Sequence, residues 1–134
     1  MMDTSTEYLK MCDCPEIQDF RKEYGQWQDG DFAADKAAPR DISFHCSECD
    51  HEYGAEFQLD CIWLPRQDQL QEMLGSSLCT DSPVTAWLDK LWPFYKAHHH
   101  EACWMTWEQF WLCFVMRVLH KKCWDGKGWV NAAP

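Results

Sequence analysis

Two cysteines in the segment HCSECDHEYG, residues 45–54, have the spacing of metal ligands. Cys46 and Cys49 are separated by two residues, so one short turn can present both thiolates to a tetrahedral ion. A redox-active dithiol of the same spacing would lie at a helix N-terminus within a βαβ unit. Residues 45–54 instead lie between two runs that alternate like antiparallel strands. The spacing and its context therefore favour Cys46 and Cys49 as two of the four ligands of a zinc ion rather than as a redox-active dithiol.

A structural zinc takes four protein ligands, and a second cysteine pair lies upstream. Cys12 and Cys14 are separated by one residue, and Pro15 favours an extended backbone at Cys14. The ligands that we predict for the zinc ion are Cys12, Cys14, Cys46 and Cys49. The alternatives for the second half of the site are His51, His45 and Cys61. Four protein ligands leave no position for water, so this zinc would be structural rather than catalytic.

Other residues whose side chains could take part in catalysis or metal binding lack the pattern of an active site. The three histidines at 98–100 occupy neighbouring helical positions that do not share a face, and we interpret them as a solvated helix end. Asp68 and Glu72 fit the capping and dipole charges of a helix start. Cys113 and Cys123 have no predicted base partner. Since the chain also lacks the common hydrolase and phosphate-binding motifs, we predict that it is not an enzyme.

The charge is strongly asymmetric along the chain. Residues 1–60 contain 15 acidic and 5 basic residues, a net of −10, whereas residues 61–134 contain 7 of each. Direct binding to a nucleic-acid backbone is disfavoured because no basic stripe is present. An acidic surface that binds a basic partner or imitates nucleic acid fits this pattern, and so does a solvated surface that only maintains solubility.

Capping patterns and prolines predict the helices. The T-x-x-E pattern at residues 4–7 predicts the start of a first helix, which Pro15 separates from a second helical segment. Residues 66–74 carry apolar residues at helical spacing. Ser-Pro at 82–83 favours the start of a further helix, and Pro93 would kink it.

The last predicted helix, residues 107–122, is the most apolar. A T-x-x-Q capping box at 106–109 precedes it, and its aromatic residues cover more than one face. We therefore predict the central helix of the core here, with Trp111 and Phe114 buried.

Alternating apolar residues predict the strands. Residues 31–34 are compatible with a short strand, and the runs at 42–44 and 57–61 read as an antiparallel pair with residues 45–54 at their tip. An Asp-Gly turn within residues 124–129 predicts a terminal hairpin.

These elements predict an α+β fold, with about four helices packed on a small antiparallel sheet and a zinc-knuckle-like hairpin tip. A chain of 134 residues is long enough for one hydrophobic core. We predict a single domain, 1–134. Its acidic N-terminal helix and cysteine-bearing hairpin would occupy residues 1–64, and its aromatic helical part and terminal hairpin residues 65–134. The start of the chain lacks the features of a signal peptide, and no run approaches the ~18 apolar residues of a membrane span, which predicts a soluble intracellular protein.

Four segments in this order resemble a family of small proteins encoded by bacteriophages and prophages. The segments are EYLKMCDCPEIQ (7–18), WQDGDF (27–32), IWLPRQDQLQEML (62–74) and WEQFWLCFVMRVLHKKCWDGKGWV (107–130). The resemblance implies a phage origin, a common fold and a location in the cytoplasm of the bacterial host. It implies no biochemical role. Residues 45–54 and 98–100 depart from the family pattern, so a metal site would be a property of this chain.

The hypothesis that combines these observations is a non-enzymatic, phage-encoded interaction protein with a structural zinc. Its partner would be a host or phage protein with a basic surface. One form is a counter-defence inhibitor, such as an anti-CRISPR or nuclease inhibitor, that acts through the acidic surface. The alternatives are a virion-assembly or tail accessory protein and, less favoured by the charge, a zinc-dependent nucleic-acid-binding protein.

Overall fold

The computed structural model describes residues 2–23, 27–37, 42–44, 61–75, 87–102 and 105–133. Within these ranges the chain forms α-helices and two small antiparallel sheets, which confirms the α+β class. The backbone divides into two compact units, Met1–Arg66 and Gln67–Pro134. The predicted zinc-knuckle tip lies outside the described residues. None of the described helices is long and apolar enough to cross a membrane.

The N-terminal unit opens with two short helices, α1 (Thr6–Cys12) and α2 (Pro15–Glu23). The break between them falls at Pro15, which starts α2 at a position where a missing N–H costs no helical hydrogen bond. The cap of α1 differs from the predicted T-x-x-E box. Ser5 is the N-cap, and its hydroxyl accepts from the Tyr8 amide at 3.2 Å. The Asp3 carboxylate accepts from the Ser5 amide at 2.8 Å, so it satisfies the donor that a capping-box Glu would satisfy.

The sheet of this unit has the order β2-β1-β3, with β1 at Phe32–Asp35, β2 at Ile42–Phe44 and β3 at Cys61–Leu64. Both outer strands pair antiparallel with β1. Among the described strands, β1 therefore lies between β2 and β3. The run at 57–61 that was predicted to pair with residues 42–44 lies, except for Cys61, outside the described residues. Ala33 and Ala34 in β1 are fully buried, and their small side chains suit a strand with neighbours on both sides.

Gln18 joins the helices to the outer edge of β3. Its side-chain oxygen accepts from the Trp63 amide at 2.9 Å, and its nitrogen donates to the Trp63 carbonyl at 3.0 Å. The same nitrogen donates to the Cys12 carbonyl at 2.9 Å, at the end of α1. One amide side chain thus pairs with the strand edge as a neighbouring strand would, and also ties α1 to it.

Two more hydrogen bonds fasten the residues that follow β3. The Tyr8 hydroxyl donates to the Pro65 carbonyl at 2.5 Å, and the Arg66 guanidinium donates to the Gly30 carbonyl. Gly30 has a φ of +89°, and a Cβ there would lie 3.2 Å from Arg66 Nη1. The positive φ therefore favours glycine, and a side chain there would also displace the Arg66 guanidinium slightly. The segments EIQ, WQDGDF and WLPR are joined by this network, which gives them a structural role.

The described part of the C-terminal unit forms the α-helices α3 (Gln67–Met73), α4 (Trp92–Ala102) and α5 (Trp107–His120). A π-helical turn, Trp87–Leu91, leads directly into α4. Pro93 follows at the second position of α4, where its missing N–H disrupts regular helical hydrogen bonding, and a π turn is one way in which a helix accommodates such a break.

Helix α5 is the core of this unit, as predicted. The Thr106 hydroxyl accepts from the Gln109 amide at 3.2 Å, which confirms the capping box, and Lys121 ends the helix in the left-handed conformation. All residues from 109 to 116 are buried, including Trp111 and Phe114. Helix α3 packs against α5. A buried run of this length on every face requires neighbours all round the helix.

The terminal hairpin is also confirmed. Strands β4 (Lys122–Trp124) and β5 (Trp129–Asn131) pair antiparallel, and the rings of Trp124 and Trp129 meet edge to face at 5.1 Å. In the turn, the Asp125 carboxylate accepts from the amides of Lys127 and Gly128, each at 2.8 Å. These two bonds lower the pKa of Asp125 from its ordinary value.

Candidate binding surfaces

The structure describes one cysteine pair of the predicted zinc site. Cys12 is the last residue of α1 and is fully buried, whereas Cys14 lies in the break before α2 and is partly exposed. The Cys14 thiol donates to the Met11 carbonyl at 3.6 Å. Burial raises the pKa of Cys12 well above its ordinary value, a hydrogen bond with Tyr8 lowers it, and the nearby charge of Cys14 raises it further.

The other predicted ligands are only partly within the described residues. Cys46, Cys49, His45 and His51 all lie outside them. Cys61 is the first residue of β3, is half-buried and is paired in register with Asp35. Among the described residues, no three His, Cys, Asp or Glu side chains are arranged to hold a metal ion. The four-cysteine zinc site therefore stays a prediction.

The surroundings of His98, Cys113 and Cys123 in the structure were not predicted from the sequence. The ring of His98 is partly exposed and packs against Phe94, with 4.6 Å between ring centroids. The side chains of His99 and His100 lie outside the described residues. A pocket of about 130 Å³ is lined by His98, Cys113 and Cys123 together with other residues of α4, α5 and β4. Sequence spacing offered no signal for this meeting, because the three residues come from three different elements.

Carboxylates form an acidic surface on the N-terminal unit. The exposed members, which define this surface, are Glu7, Asp13, Asp19, Glu23 and Asp29. Residues 1–66 contain 15 acidic and 6 basic residues, a net of −9. An exposed ion pair joins Lys22 and Asp19, at 3.6 Å.

The two described arginines of this unit each contact a neutral group. The Arg21 guanidinium lies 4.4 Å from the centre of the Trp27 ring, and Arg66 donates to the Gly30 carbonyl. Burial lowers the pKa of Arg21 from its ordinary value, and the buried carboxylate of Asp31 partly offsets this. Each of these two arginines thus contacts a neutral group of its own unit, a ring or a backbone carbonyl.

An aromatic cleft on the C-terminal unit was not predicted. It has a volume of about 480 Å³ and lies where the π turn and α4 face the start of α5. Its lining residues are Leu91, Trp92, Tyr95, Met105, Thr106, Trp107 and Phe110. Trp92, Tyr95 and Trp107 are exposed by 47%, 38% and 53% of their surface, whereas Phe110 forms a buried floor. The available signal was the i, i+3 spacing of aromatic residues at 92 and 95 and again at 107 and 110.

Comparison with known proteins finds no matching family model, no matching curated protein and no matching solved structure. The function of the chain therefore has to be inferred from its own surfaces. The described residues present two that differ in kind. One is charged and suits a partner of opposite sign, and the other is apolar and suits a side chain that leaves water.

Proposed function

We propose that the protein is a non-enzymatic interaction protein, encoded by a bacteriophage or prophage, that binds a basic surface of a host or phage protein. The observation that carries the proposal is the charge arrangement of the N-terminal unit. Its exposed carboxylates on α1, α2 and the following turn face solvent, while Arg21 and Arg66 are held on a ring and on a backbone carbonyl. The resemblance of the four sequence segments supports the phage origin.

The natural complement of this surface is the groove of a protein that binds nucleic acid. Such grooves are lined by Lys and Arg and are built to receive a chain of negative charges. A protein with a net charge of −10 is steered toward them and is repelled by nucleic acid itself. In its counter-defence form, the protein occupies the nucleic-acid groove of a host nuclease or CRISPR effector and so prevents the effector from binding its target.

Neutralising the acidic surface tests this proposal. The variant Asp13→Asn, Asp19→Asn, Glu23→Gln removes three exposed charges from the N-terminal unit. The matched control, Asp68→Asn, Glu72→Gln, Asp89→Asn, removes three exposed charges from the C-terminal unit. Each protein is immobilised and exposed to bacterial lysate, and the captured proteins are identified by mass spectrometry. We expect a basic nucleic-acid-binding protein to be captured by the wild type and the control and lost by the first variant.

Salt and DNA provide the second readout. Because the contacts are charged, the affinity for the captured partner should fall steeply as salt is raised, and added DNA should compete for the same groove. Equal capture by both triple variants would contradict the proposal. Recovery of the protein in purified virions, without such a partner, would favour a virion accessory role instead.

We further propose that Cys12, Cys14, Cys46 and Cys49 hold a structural zinc. The C-x-C spacing of Cys12 and Cys14 and the C-x-x-C spacing of Cys46 and Cys49 support this, because each pair can present two thiolates from one short segment. A bound zinc would supply folding free energy by joining the end of α1 to residues 45–54. The bound ion would also favour the deprotonated Cys12 that burial alone disfavours.

Metal analysis of the purified protein should find about one equivalent of zinc, and Cys46→Ser with Cys49→Ser should lose it. The half-buried Cys123→Ser is the control and should keep it. The variants Cys14→Ser and His51→Ala distinguish the ligand sets. Loss with Cys14→Ser and retention with His51→Ala is expected, and the reverse would assign the site to His51. Less than about half an equivalent in the wild type would contradict zinc binding.

A further inference from the structure

The small pocket of about 130 Å³ is used neither by the acidic surface nor by the proposed zinc site. It lies within the C-terminal unit, between α4, α5 and β4. It differs from the aromatic cleft because charged residues as well as rings line it. The lining residues that determine its chemistry are Phe94, His98, Phe110, Arg117, Lys122 and Trp124.

Regular spacing explains why these side chains meet. Phe110 and Arg117 are seven residues apart, two helical turns, so they share one face of α5. On β4, Lys122 and Trp124 are two residues apart and share one face of the strand. Since β4 follows almost directly after α5, one cation from the helix and one from the strand reach the same pocket.

Aromatic rings form the apolar part of the pocket. The ring of Phe94 lies 5.5 Å from that of Phe110 and 4.6 Å from that of His98, and Trp124 meets Trp129 edge to face at 5.1 Å. These contacts hold the rings in place, so a ligand does not have to order them.

The volume limits the size of the ligand. Pockets for drug-sized molecules have about 300–1,000 Å³, whereas an apolar cavity of about 150 Å³ holds a single benzene molecule. At about 130 Å³, the pocket has room for one ring-sized group and not for a nucleotide or a peptide.

Charge within the pocket itself selects the polar part of the ligand. Arg117 and Lys122 are half-buried cations, and none of the described lining residues is acidic. Beside apolar walls, water screens these charges less than at an open surface, so they attract an anion more strongly. Arg117 Nη2 donates to the Ala133 carbonyl at 3.0 Å, which helps to orient the guanidinium and uses one of its five N–H donors. A carboxylate can accept from two of the others at once.

We infer that the small pocket binds a ring-sized aromatic carboxylate. The carboxylate pairs with Arg117 and Lys122, and the ring packs against Phe94 and Trp124. An inorganic anion would leave the apolar walls in contact with water, and a neutral ring would gain nothing from the two cations.

Three small molecules test the pocket. Benzoate has both the ring and the charge, benzamide has the same shape without the charge, and inorganic phosphate has the charge without the ring. Each is titrated into ¹⁵N-labelled protein at constant pH and ionic strength, and the backbone amide signals are followed by NMR. We expect benzoate to bind saturably, with the largest shifts in residues 110–117 and 122–124, and the other two to bind at least about tenfold more weakly.

Substitution of the cations provides the second readout. Arg117→Gln should weaken benzoate binding at least about tenfold and leave benzamide binding unchanged. Lys122→Gln should act in the same direction, and it provides a second variant if Arg117→Gln does not fold. The matched control is Lys127→Gln, which removes an exposed charge of the same unit that does not line the pocket. It should bind benzoate as the wild type does.

A wild type that shows no saturable binding of benzoate at millimolar concentrations would overturn the inference. So would equal binding of benzamide or phosphate, or undiminished binding of benzoate by both Arg117→Gln and Lys122→Gln. Benzoate-dependent shifts confined to other parts of the chain would also overturn it. None of these results bears on the proposed function, because the acidic surface belongs to the N-terminal unit.

Discussion

Replacing Phe114 by Ala is expected to lower the free energy of unfolding by about 3–5 kcal/mol. Phe114 is only 3% exposed in the middle of α5, and its ring lies 5.2 Å from that of Phe94 and 6.0 Å from that of Trp111. The substitution removes apolar surface from the core and leaves a cavity that these rings cannot fully close. Urea denaturation followed by tryptophan fluorescence measures the change.

Trp107→Ala is the matched control for this experiment. Trp107 lies on the same helix but is 53% exposed, so its removal should change the free energy of unfolding by about 1 kcal/mol or less. If Phe114→Ala were also within about 1 kcal/mol of the wild type, α5 would not be the core helix of the C-terminal unit.

Replacing Gln18 by Leu should destabilise the N-terminal unit by about 2–4 kcal/mol. The side chain makes three hydrogen bonds, two to the backbone of Trp63 and one to the Cys12 carbonyl. Leu has similar bulk but no donor or acceptor, so the backbone groups of the buried Trp63 would lose their partner at the edge of β3. Hydrogen exchange at the Trp63 amide should accelerate in parallel with the loss of stability.

Gln71→Leu is the control, since Gln71 is an exposed residue of α3 and the same chemical change there should cost less than about 0.5 kcal/mol. A Gln18→Leu variant as stable as this control would show that the strand edge does not depend on the amide. Slower or unchanged hydrogen exchange at the Trp63 amide would also contradict the role of Gln18 at this strand edge.

The prediction of α5 from the sequence was accurate because its signals are local. The capping box joins residues 106 and 109, and the uninterrupted apolar content requires burial wherever the helix is placed. The terminal hairpin was predicted for the same reason, since its Asp-Gly turn determines the pairing of residues close in the chain. At α1, however, both Thr4 and Ser5 could act as the N-cap. Ser5 does so, and the Asp3 carboxylate stabilises this cap by accepting from the Ser5 amide.

Strand order was not predictable in this way. The alternation in residues 42–44 and near Cys61 indicates strands but not which strands pair. Every strand offers the same backbone donors and acceptors, so the hydrogen bonds themselves do not select a partner. The placement of β1 between the other two strands follows from tertiary packing. The same holds for Gln18, whose bonds to Trp63 span 45 residues of sequence.

By itself, the sequence determined the α+β class, the central helix and the charge asymmetry, since each depends on composition or short spacing, and it supplied the candidate ligands of the proposed zinc site. The tertiary structure decided which long-range partners meet. It placed Gln18 on the edge of β3, Arg21 over the Trp27 ring and Arg66 on the Gly30 carbonyl. It also left Trp92, Tyr95 and Trp107 around an open cleft. Burial and exposure of an aromatic residue depend on what packs against it, and that is a property of the folded chain.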